Sequence, residues 1–403
     1  MIKSLMLTLI LLSVVSCSSR PETITFQNFS ETVVLENISG EIYLVQGRAL
    51  QVELAKRLIV KTKHLTKAQL LQIDNGISSV IAIFESETGN YFQVDLVPDQ
   101  SLSEMMVRFQ ARSDIDLVQP DILQLSLQAE IQSNHAEITS ALEQLGIPKL
   151  WKTTMGSGVK IAVIDDGFDL THEDLQQLTT AFSYDLHRQQ LNAFPAHADE
   201  THGTKIAGIV FAAHNNIGIS GIAPQAELIA IRHVDTWTSK TLISFHLARL
   251  AGADIINASW NSQWLLEPVA DAVTELTNHG RDGKGIAVVF AAGNDRMDIQ
   301  PNSIEAALEP AIVVGALNRT GFKLHNSNFG GSVDMFVYGS QMRSTVPADT
   351  YDDFSGTSLS AAIVSGTAAL LLSESPELTV AQLEEKLLHN NGILKTPKKR
   401  KQD

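Results

Sequence analysis

The chain of 403 residues contains one cysteine, Cys17, and this scarcity sets its first limits. No disulfide can form within a chain that has a single thiol, and a zinc site built from cysteines is not expected. Basic residues are also outnumbered, with 30 Lys and Arg against 45 Asp and Glu and a formal net charge of −15. Such an acidic chain has little with which to neutralise a phosphate backbone, so we expect no nucleic-acid partner.

Long apolar runs are likewise rare, and the one at the N-terminus is too short for a convincing membrane span. Residues 1–16 instead have the pattern of an export signal, in which Lys3 precedes a mainly apolar stretch at 5–15. The signal ends in Val-Val-Ser-Cys, which resembles the lipobox of bacterial lipoproteins. That resemblance implies that Cys17 becomes the lipidated first residue of a mature chain held in the cell envelope, outside the cytoplasm. The following Ser18 implies the outer membrane if the cell is Gram-negative. The alternative is an ordinary signal peptide with an incidental cysteine.

Hydrophobic patterning divides the rest of the chain into two folded units. Residues 57–124 alternate short strands and helices, which predicts a small α+β unit without a catalytic constellation of its own. A spacer with the first strands precedes it at 17–56, and a polar, helix-prone linker follows at 125–150. The second unit covers 151–390, and we interpret the basic tail at 391–403 as solvated and disordered.

The second unit repeats near-continuous apolar runs, for example at residues 159–164, 286–290 and 312–314. Such runs are typical of strands buried on both faces of a parallel sheet. Helix-like segments lie between several of them, which favours a doubly wound, mainly parallel α/β domain. Sheets of this kind carry their functional sites at the carboxyl ends of the strands.

Four short polar motifs lie at such strand ends or at the starts of helical runs. Singly, each has an ordinary structural interpretation, since acids and amides are common turn residues and a lone histidine is more often structural. Together, an acid, a histidine and a serine in this chain order follow one of the known orders of the serine-protease triad. The four polar residues are Asp165, His202, Asn294 and Ser358.

At these motifs residues 151–388 resemble the subtilisin-like serine peptidases. Gly-Ile-Ala-Pro at 221–224, Ile-Ile-Asn-Ala-Ser-Trp at 255–260 and Ile-Val-Val-Gly-Ala at 312–316 also follow that family's sequence. The resemblance implies a subtilisin-like fold and a serine endopeptidase that cleaves proteins or peptides and requires no cofactor. The competing interpretation is a non-catalytic envelope lipoprotein that uses this fold as a peptide-binding module.

The resemblance assigns a role to each residue of the site. Ser358 is the implied nucleophile, His202 its general base and acid, and Asp165 the group that orients the imidazole. Asn294 supplies an oxyanion donor beside the backbone N–H at the start of the helix. Asp166, which directly follows the orienting acid, is expected to be a loop residue. The implied substrate-binding residues are Ser259, Trp260, Asn261, Ala292 and Gly293.

Asn261 departs from the family pattern, which usually has Gly at this point in the segment that pairs with the substrate backbone. Asn tolerates a positive φ but adds a side chain that Gly lacks. We hypothesise that Asn261 narrows or polarises the S1 pocket and favours small residues at P1.

Metal-binding motifs are missing as well. The chain has no HExxH and no EF-hand loop, and its 12 histidines are scattered. Many relatives bind structural calcium through loop carboxylates and carbonyls. Calcium therefore stays open as a structural ion, with no ligands assigned.

Residues 57–124 resemble, more loosely, the inhibitory propeptides of the same family. This resemblance implies a ferredoxin-like chaperone and inhibitor whose C-terminal extension occupies the active site until it is cleaved. The alternative is a plain spacer that lifts the enzyme off the membrane. Autocleavage within residues 122–150 would release the catalytic domain from its lipid anchor.

Overall fold

The computed structural model describes residues 22–124, 139–301, 303–390 and 392–397. The predictions for the signal peptide and for Cys17 lie outside the described residues. The same holds for 125–138 of the linker and for 398–403 of the tail.

The N-terminal unit is an antiparallel sheet of seven strands with two helices packed on it. Along β1 and much of β4, buried and exposed side chains alternate, as expected where one sheet face packs on a core. Its elements are β1 (Thr23–Asn28), β2 (Glu31–Ser39), β3 (Ile42–Val45), β4 (Leu50–Thr62), α1 (Lys67–Leu71), β5 (Ile77–Phe84), β6 (Asn90–Leu96), α2 (Leu102–Gln110) and β7 (Leu117–Leu123).

Four of these strands, in the order β7-β4-β6-β5, have the arrangement of a ferredoxin-like fold. Strands β1 to β3 extend the same sheet, because β3 pairs with the beginning of β4 between Leu50 and Glu53. The expected domain boundary between residues 56 and 57 is therefore wrong. At 13 residues β4 is long enough to pair with β3 near its start and with β6 near its end. No local sequence pattern predicts this long-range strand pairing.

The second unit also extends beyond its predicted bounds, residues 151–390, at both ends. Helices α3 (Thr139–Gln144) and α4 (Ile147–Leu150) precede it, and Leu145 and Ile147 are buried in its core. At the other end Ile393 is buried, and Leu394 exchanges two backbone hydrogen bonds with Phe336. Parts of the expected linker and tail thus belong to the folded unit. Their sequences are mostly polar, but a few apolar side chains in them are buried in the core of this unit.

A parallel sheet of seven strands forms the centre of the second unit, in the order β14-β13-β12-β11-β8-β10-β9. This order confirms the predicted doubly wound α/β fold. Its elements are β8 (Lys160–Asp165), β9 (Thr180–Asp185), α5 (His202–Phe211), β10 (Glu227–Arg232), α6 (Thr238–Leu250), β11 (Ile255–Ala258), α7 (Glu267–Gly283), β12 (Ala287–Ala291), β13 (Ile312–Leu317), β14 (Met335–Tyr338), β15 (Met342–Val346), β16 (Thr350–Phe354), α8 (Thr357–Glu374) and α9 (Val380–Leu388).

Helix α8 runs through the core of this unit, against the sheet and beside α5 and α9. Among the described residues it is the one helix long and apolar enough to cross a membrane, but 83% of it is buried inside the protein. A helix that is apolar on all sides is explained here by burial within a folded domain.

The two units meet at the N-termini of α6 and α7, whose own N-cap residues make no side-chain cap hydrogen bond. Asp121 of β7 accepts hydrogen bonds from the backbone N–H of Ser239 at 2.9 Å and from its hydroxyl at 2.7 Å. Asp121 is fully buried, which raises its pKa, and Arg57 lies 2.5 Å from it as the compensating charge. The N-terminal unit thus supplies the missing cap of α6.

Asn28 at the end of β1 does the same for α7. Its side-chain oxygen accepts from the backbone N–H of Glu267 at 2.8 Å, and its amide donates to the Leu265 carbonyl at 3.1 Å. Further along α7, Asp271 accepts hydrogen bonds from Lys61 at 2.6 Å and from the Tyr91 hydroxyl at 2.5 Å. Two helices beside the sheet are therefore held by polar groups of the N-terminal unit.

Candidate active site

The predicted site residues of the sheet lie at the carboxyl ends of three neighbouring strands. Asp165 is the last residue of β8, Ser259 follows β11, and Ala292 follows β12. Strand β11 lies between β8 and β12 in the sheet, so these three ends are adjacent. The position agrees with the rule for open α/β sheets.

Asp165 and His202 form the central pair of the site. The Nδ1 atom of His202 lies 2.8 Å and 3.0 Å from the two carboxylate oxygens of Asp165, and both residues are buried. The strand end is fixed in turn, because the Asp165 carbonyl accepts a backbone hydrogen bond from His233 at 2.7 Å. A carboxylate at Nδ1 keeps the proton on that nitrogen, which makes Nε2 the basic atom of a neutral imidazole.

Asp166 positions the helix that carries His202. Its carboxylate accepts the backbone N–H of His202 at 3.1 Å and that of Gly203 at 2.7 Å, where the N-cap residue Thr201 makes no side-chain cap hydrogen bond. The expectation of a simple loop residue therefore missed this role. Burial, and secondarily the neighbouring Asp165, raise the pKa of Asp166 to about 7.

Gly203 lets α5 approach the end of β8 closely. A Cβ atom added there would lie 2.4 Å from the carbonyl oxygen of Gly167 and 3.1 Å from Cβ of Asp165. Any side chain would push the helix away from the strand. The Gly after the histidine is thus required by the distance between Asp165 and His202.

Ser358 is the second residue of α8, and its hydroxyl donates to the Ser259 carbonyl at 3.4 Å. The preceding turn contains Gly356 at a φ of 105°, a conformation that favours glycine. The ring of Phe354, at the end of β16, packs edge-on against the His202 imidazole with centroids 5.4 Å apart. The segment leading into α8 therefore lies against the histidine.

Asn294 is tied to the start of the same helix. Its side-chain oxygen accepts from the backbone N–H of Thr357 at 3.1 Å and from the Thr357 hydroxyl at 3.2 Å. The Thr357 hydroxyl also accepts the backbone N–H of Gly293 at 3.1 Å. Because the oxygen of the Asn294 amide is the acceptor, its NH₂ group is the donor end, as an oxyanion hole requires.

The segment after β11 carries the predicted substrate-binding residues. Trp260 is buried, and its indole N–H donates to the Ile164 carbonyl at 3.0 Å. The Asn261 amide donates to the Ala291 carbonyl at 2.8 Å, while the Asn261 oxygen is buried without a hydrogen-bond partner. The Asn261 side chain thus lies between the ends of β11 and β12, where the S1 pocket is expected.

Glu305 is a buried acid that the sequence did not suggest. Its carboxylate accepts the backbone N–H of Ser262 at 2.9 Å and the Ser262 hydroxyl at 2.6 Å, and burial raises its pKa. It thereby anchors the chain just after Asn261. In the sequence Glu305 is a single acid with no motif around it.

No group of three or more His, Cys, Asp or Glu side chains with the geometry to hold a metal ion occurs among the described residues. Three of the described carboxylates near the catalytic centre, those of Asp166, Glu200 and Glu305, are instead bound by backbone amides, a hydroxyl or a basic side chain.

The fold is shared with a solved protease structure. Fervidolysin from Fervidobacterium pennivorans, described as a keratinolytic enzyme related to subtilisin, superimposes with a TM-score of 0.70 at 20% sequence identity. The match covers 90% of this chain and 63% of that one. The architecture is therefore that of the subtilisin-like α/β proteins.

Sequence comparison gives the family. Residues 156–402 match the Subtilase family, the S8 peptidases. Subtilisin NAT from Bacillus subtilis subsp. natto is 32% identical over 239 residues, which cover 58% of this chain and 60% of the relative. The subtilisin of Bacillus pumilus is 32% identical over the same length, with 83% of it covered. The chain belongs to the Subtilase family.

Replacing Asp166 by Asn should reduce the pH dependence of stability. The raised pKa means that the folded state keeps a proton that the unfolded state releases, so stability falls as pH rises from about 4 to about 7. At about 1.4 kcal/mol for each tenfold change, the upper bound of this loss is about 4 kcal/mol. Asn remains neutral and its oxygen still accepts a backbone N–H, so Asp166→Asn should lose less free energy of unfolding between pH 5 and pH 8.

Urea unfolding at both pH values, in a Ser358→Ala background that keeps the chain intact, measures this difference. Asp199→Asn is the control, since Asp199 is an exposed acid near His202. Equal pH dependence in Asp166→Asn and in the parent would contradict the prediction.

Proposed function

We propose that the protein is an exported serine endopeptidase that hydrolyses peptide bonds through Asp165, His202 and Ser358. The observation that carries this proposal is the buried hydrogen bond between Asp165 and Nδ1 of His202, in a unit where Ser358 is the second residue of helix α8. Membership of the Subtilase family supports it. Whole relatives are longer than the matched region, which spans 60% of subtilisin NAT.

In the proposed reaction the Ser358 hydroxyl leaves the Ser259 carbonyl and donates its proton to Nε2 of His202 as it attacks the scissile carbonyl carbon. Asp165 stabilises the imidazolium that forms. The tetrahedral oxyanion accepts hydrogen bonds from the Asn294 amide and from a backbone N–H at the N-terminus of α8. The imidazolium then protonates the leaving amine, and water hydrolyses the acyl-enzyme by the same route.

A fluorophosphonate probe should label the purified protein at Ser358, and Ser358→Ala should abolish the label. His202→Ala should slow labelling by at least about a hundredfold, because the general base is lost. Ser360→Ala is the matched control, since Ser360 lies on the same helix with its hydroxyl directed to backbone carbonyls. The measurement is the labelling rate followed by peptide mapping.

A folded wild-type protein that does not react, or reacts equally after Ser358→Ala, would instead support the non-catalytic peptide-binding module. That alternative needs the cleft but has no use for an activated serine.

We further propose that residues 22–124 act as the inhibitor and folding aid of the second unit. In support, Asp121 and Asn28 cap α6 and α7, and the Gln124 carbonyl accepts a hydrogen bond from the Thr236 hydroxyl. Gln124 also donates to the Trp264 carbonyl at 2.7 Å, close to the substrate-binding segment. Gln124 thus lies close to the cleft, which supports self-processing within 122–150. A plain spacer would not need these contacts.

Anchoring of the N-terminus to the envelope membrane through a lipid on Cys17 completes the proposal. It rests on the export signal and on the lipobox-like end of residues 1–16. Cleavage within 122–150 would then separate a soluble catalytic unit from an anchored N-terminal unit.

Intact-mass analysis of protein from membrane and soluble fractions tests lipidation and processing together. Ser358→Ala should stay membrane-bound as one chain with a lipidated Cys17, whereas the wild type should yield a released fragment that begins within 122–150. Cys17→Ala, the control, should lose the lipid mass. Identical fragments from wild type and Ser358→Ala would exclude self-cleavage, and a Cys17 without added mass would exclude the anchor.

Small residues should be preferred at P1. The Asn261 side chain occupies space beside Ala291 and Gly293 that a glycine would leave open, so Asn261→Gly should widen the profile toward larger residues. Cleavage of a peptide library by both forms measures the change. A wild-type profile dominated by large aromatic P1 residues would refute this role of Asn261.

A further inference from the structure

A cavity of about 280 Å³ opens beside the Asp165–His202 pair. Two of its lining residues contact that pair directly, since Asp166 accepts the backbone N–H of His202 and the backbone N–H of His233 donates to the Asp165 carbonyl. A third, Trp260, donates its indole N–H to the carbonyl of Ile164, the residue before Asp165. A substrate strand lying along the segment 259–261 would therefore pass this cavity on its way to Ser358.

The cavity is lined by more negative than positive charge. Four carboxylates face it: Asp166, Asp199, Glu200 and Asp235. Glu200 is neutralised by the buried Arg232, and one oxygen of Asp235 lies 2.5 Å from Lys240. Asp166 is bound by backbone amides, and Asp199 is exposed at the rim with no side-chain partner among the described residues. Two carboxylates are thus without a cationic partner.

Among the described residues, two further polar groups at the cavity are incompletely satisfied. The second oxygen of Asp235 is buried and accepts no hydrogen bond. His233 is only 5% exposed, and its side chain makes one long hydrogen bond in the described structure, of 3.5 Å from Nε2 to the Thr241 hydroxyl. Burial lowers the pKa of His233 to about 4, so the imidazole is neutral and offers an acceptor. Unpaired buried polar groups are costly, and a ligand that donates hydrogen bonds would satisfy them.

We propose that this cavity binds a lysine or arginine side chain of the substrate, from one of the residues on the N-terminal side of the scissile bond. The ammonium or guanidinium group donates to Asp235 and Asp199, and the alkyl stem packs against Trp260. This inference rests on the proposed peptidase function and adds the class of substrate that the site selects.

The occupant is a separate substrate rather than the chain's own linker. The Gln124 carbonyl accepts a hydrogen bond from the hydroxyl of Thr236, which lines the cavity. The residue that precedes the linker is therefore at the edge of the cavity. Residues 113–148 contain no lysine and no arginine. This segment therefore has no lysine or arginine side chain that could compete with a basic substrate for the cavity.

A lysine scan tests the proposal with the full chain as purified. Peptides of one neutral parent sequence carry lysine, or norleucine of the same length, at each of the four positions before the cleavage site. Lysine at one position should raise kcat/KM by about tenfold or more over norleucine, and 1 M salt should reduce this ratio because the attraction is electrostatic. Asp199→Lys should remove most of the preference.

Glu377→Lys is the matched control, since Glu377 is an exposed acid beyond the far end of α8, about 24 Å along the helix from Ser358. The ratio of kcat/KM for lysine over norleucine peptides should be the same in Glu377→Lys as in the wild type. Cleavage of lysine and norleucine peptides at equal rates at every position would overturn the proposal and leave the peptidase function intact.

A second measurement does not depend on catalysis. Nα-acetyl-lysine methylamide should bind to the Ser358→Ala chain in ligand-observed NMR, more tightly than the norleucine analogue and less tightly after Asp199→Lys. If no peptide is cleaved but this preference is found, the cation site stands and the peptidase proposal fails. Equal binding of the two analogues would overturn the cation site.

Discussion

The hydrogen bond between the buried Asp165 carboxylate and His202 is the constraint on which the rest of the site depends. A buried carboxylate is stable only with a partner, and breaking such a pair costs roughly 3–5 kcal/mol. Contacts of neighbouring residues hold the two side chains together. Gly203 allows α5 to reach the strand end, and Asp166 holds the first two amides of the helix. The imidazole orientation is therefore a property of the backbone, set before any substrate arrives.

The rest of the site is tied to this pair through the start of α8. Thr357, the residue before Ser358, is hydrogen-bonded to both Gly293 and Asn294, so the loop after β12 is tied to the start of the helix. Glu305 adds a second tie by holding Ser262. The Glu305 link is a buried hydrogen bond and the Thr357 links are partly buried, and hydrogen bonds are strengthened in such a low-dielectric interior. The proposed donor, nucleophile and S1 wall thus share one rigid framework.

The fold class followed from the sequence because apolar runs ended by polar motifs carry strong local signals. The positions that the structure brings together at the site, from Asp165 to Ser358, were predicted for the same reason. What could not be predicted depends on contacts between distant segments. The pairing of β3 with the start of β4 and the burial of Leu145 and Ile393 moved three domain boundaries. The capping role of Asp166 and the cavity beside it likewise depend on segments that are distant in the sequence and become neighbours only in the folded structure.

The caps that Asp121 and Asn28 provide have a consequence for the second unit on its own. The first amides of α6 and α7 are satisfied by another part of the chain, so water must take over these donors when the two units separate. Local opening would then begin at these two helix ends, which have lost their stabilising acceptors. The region beside the cleft would become the part of the catalytic unit whose amides exchange with solvent most readily.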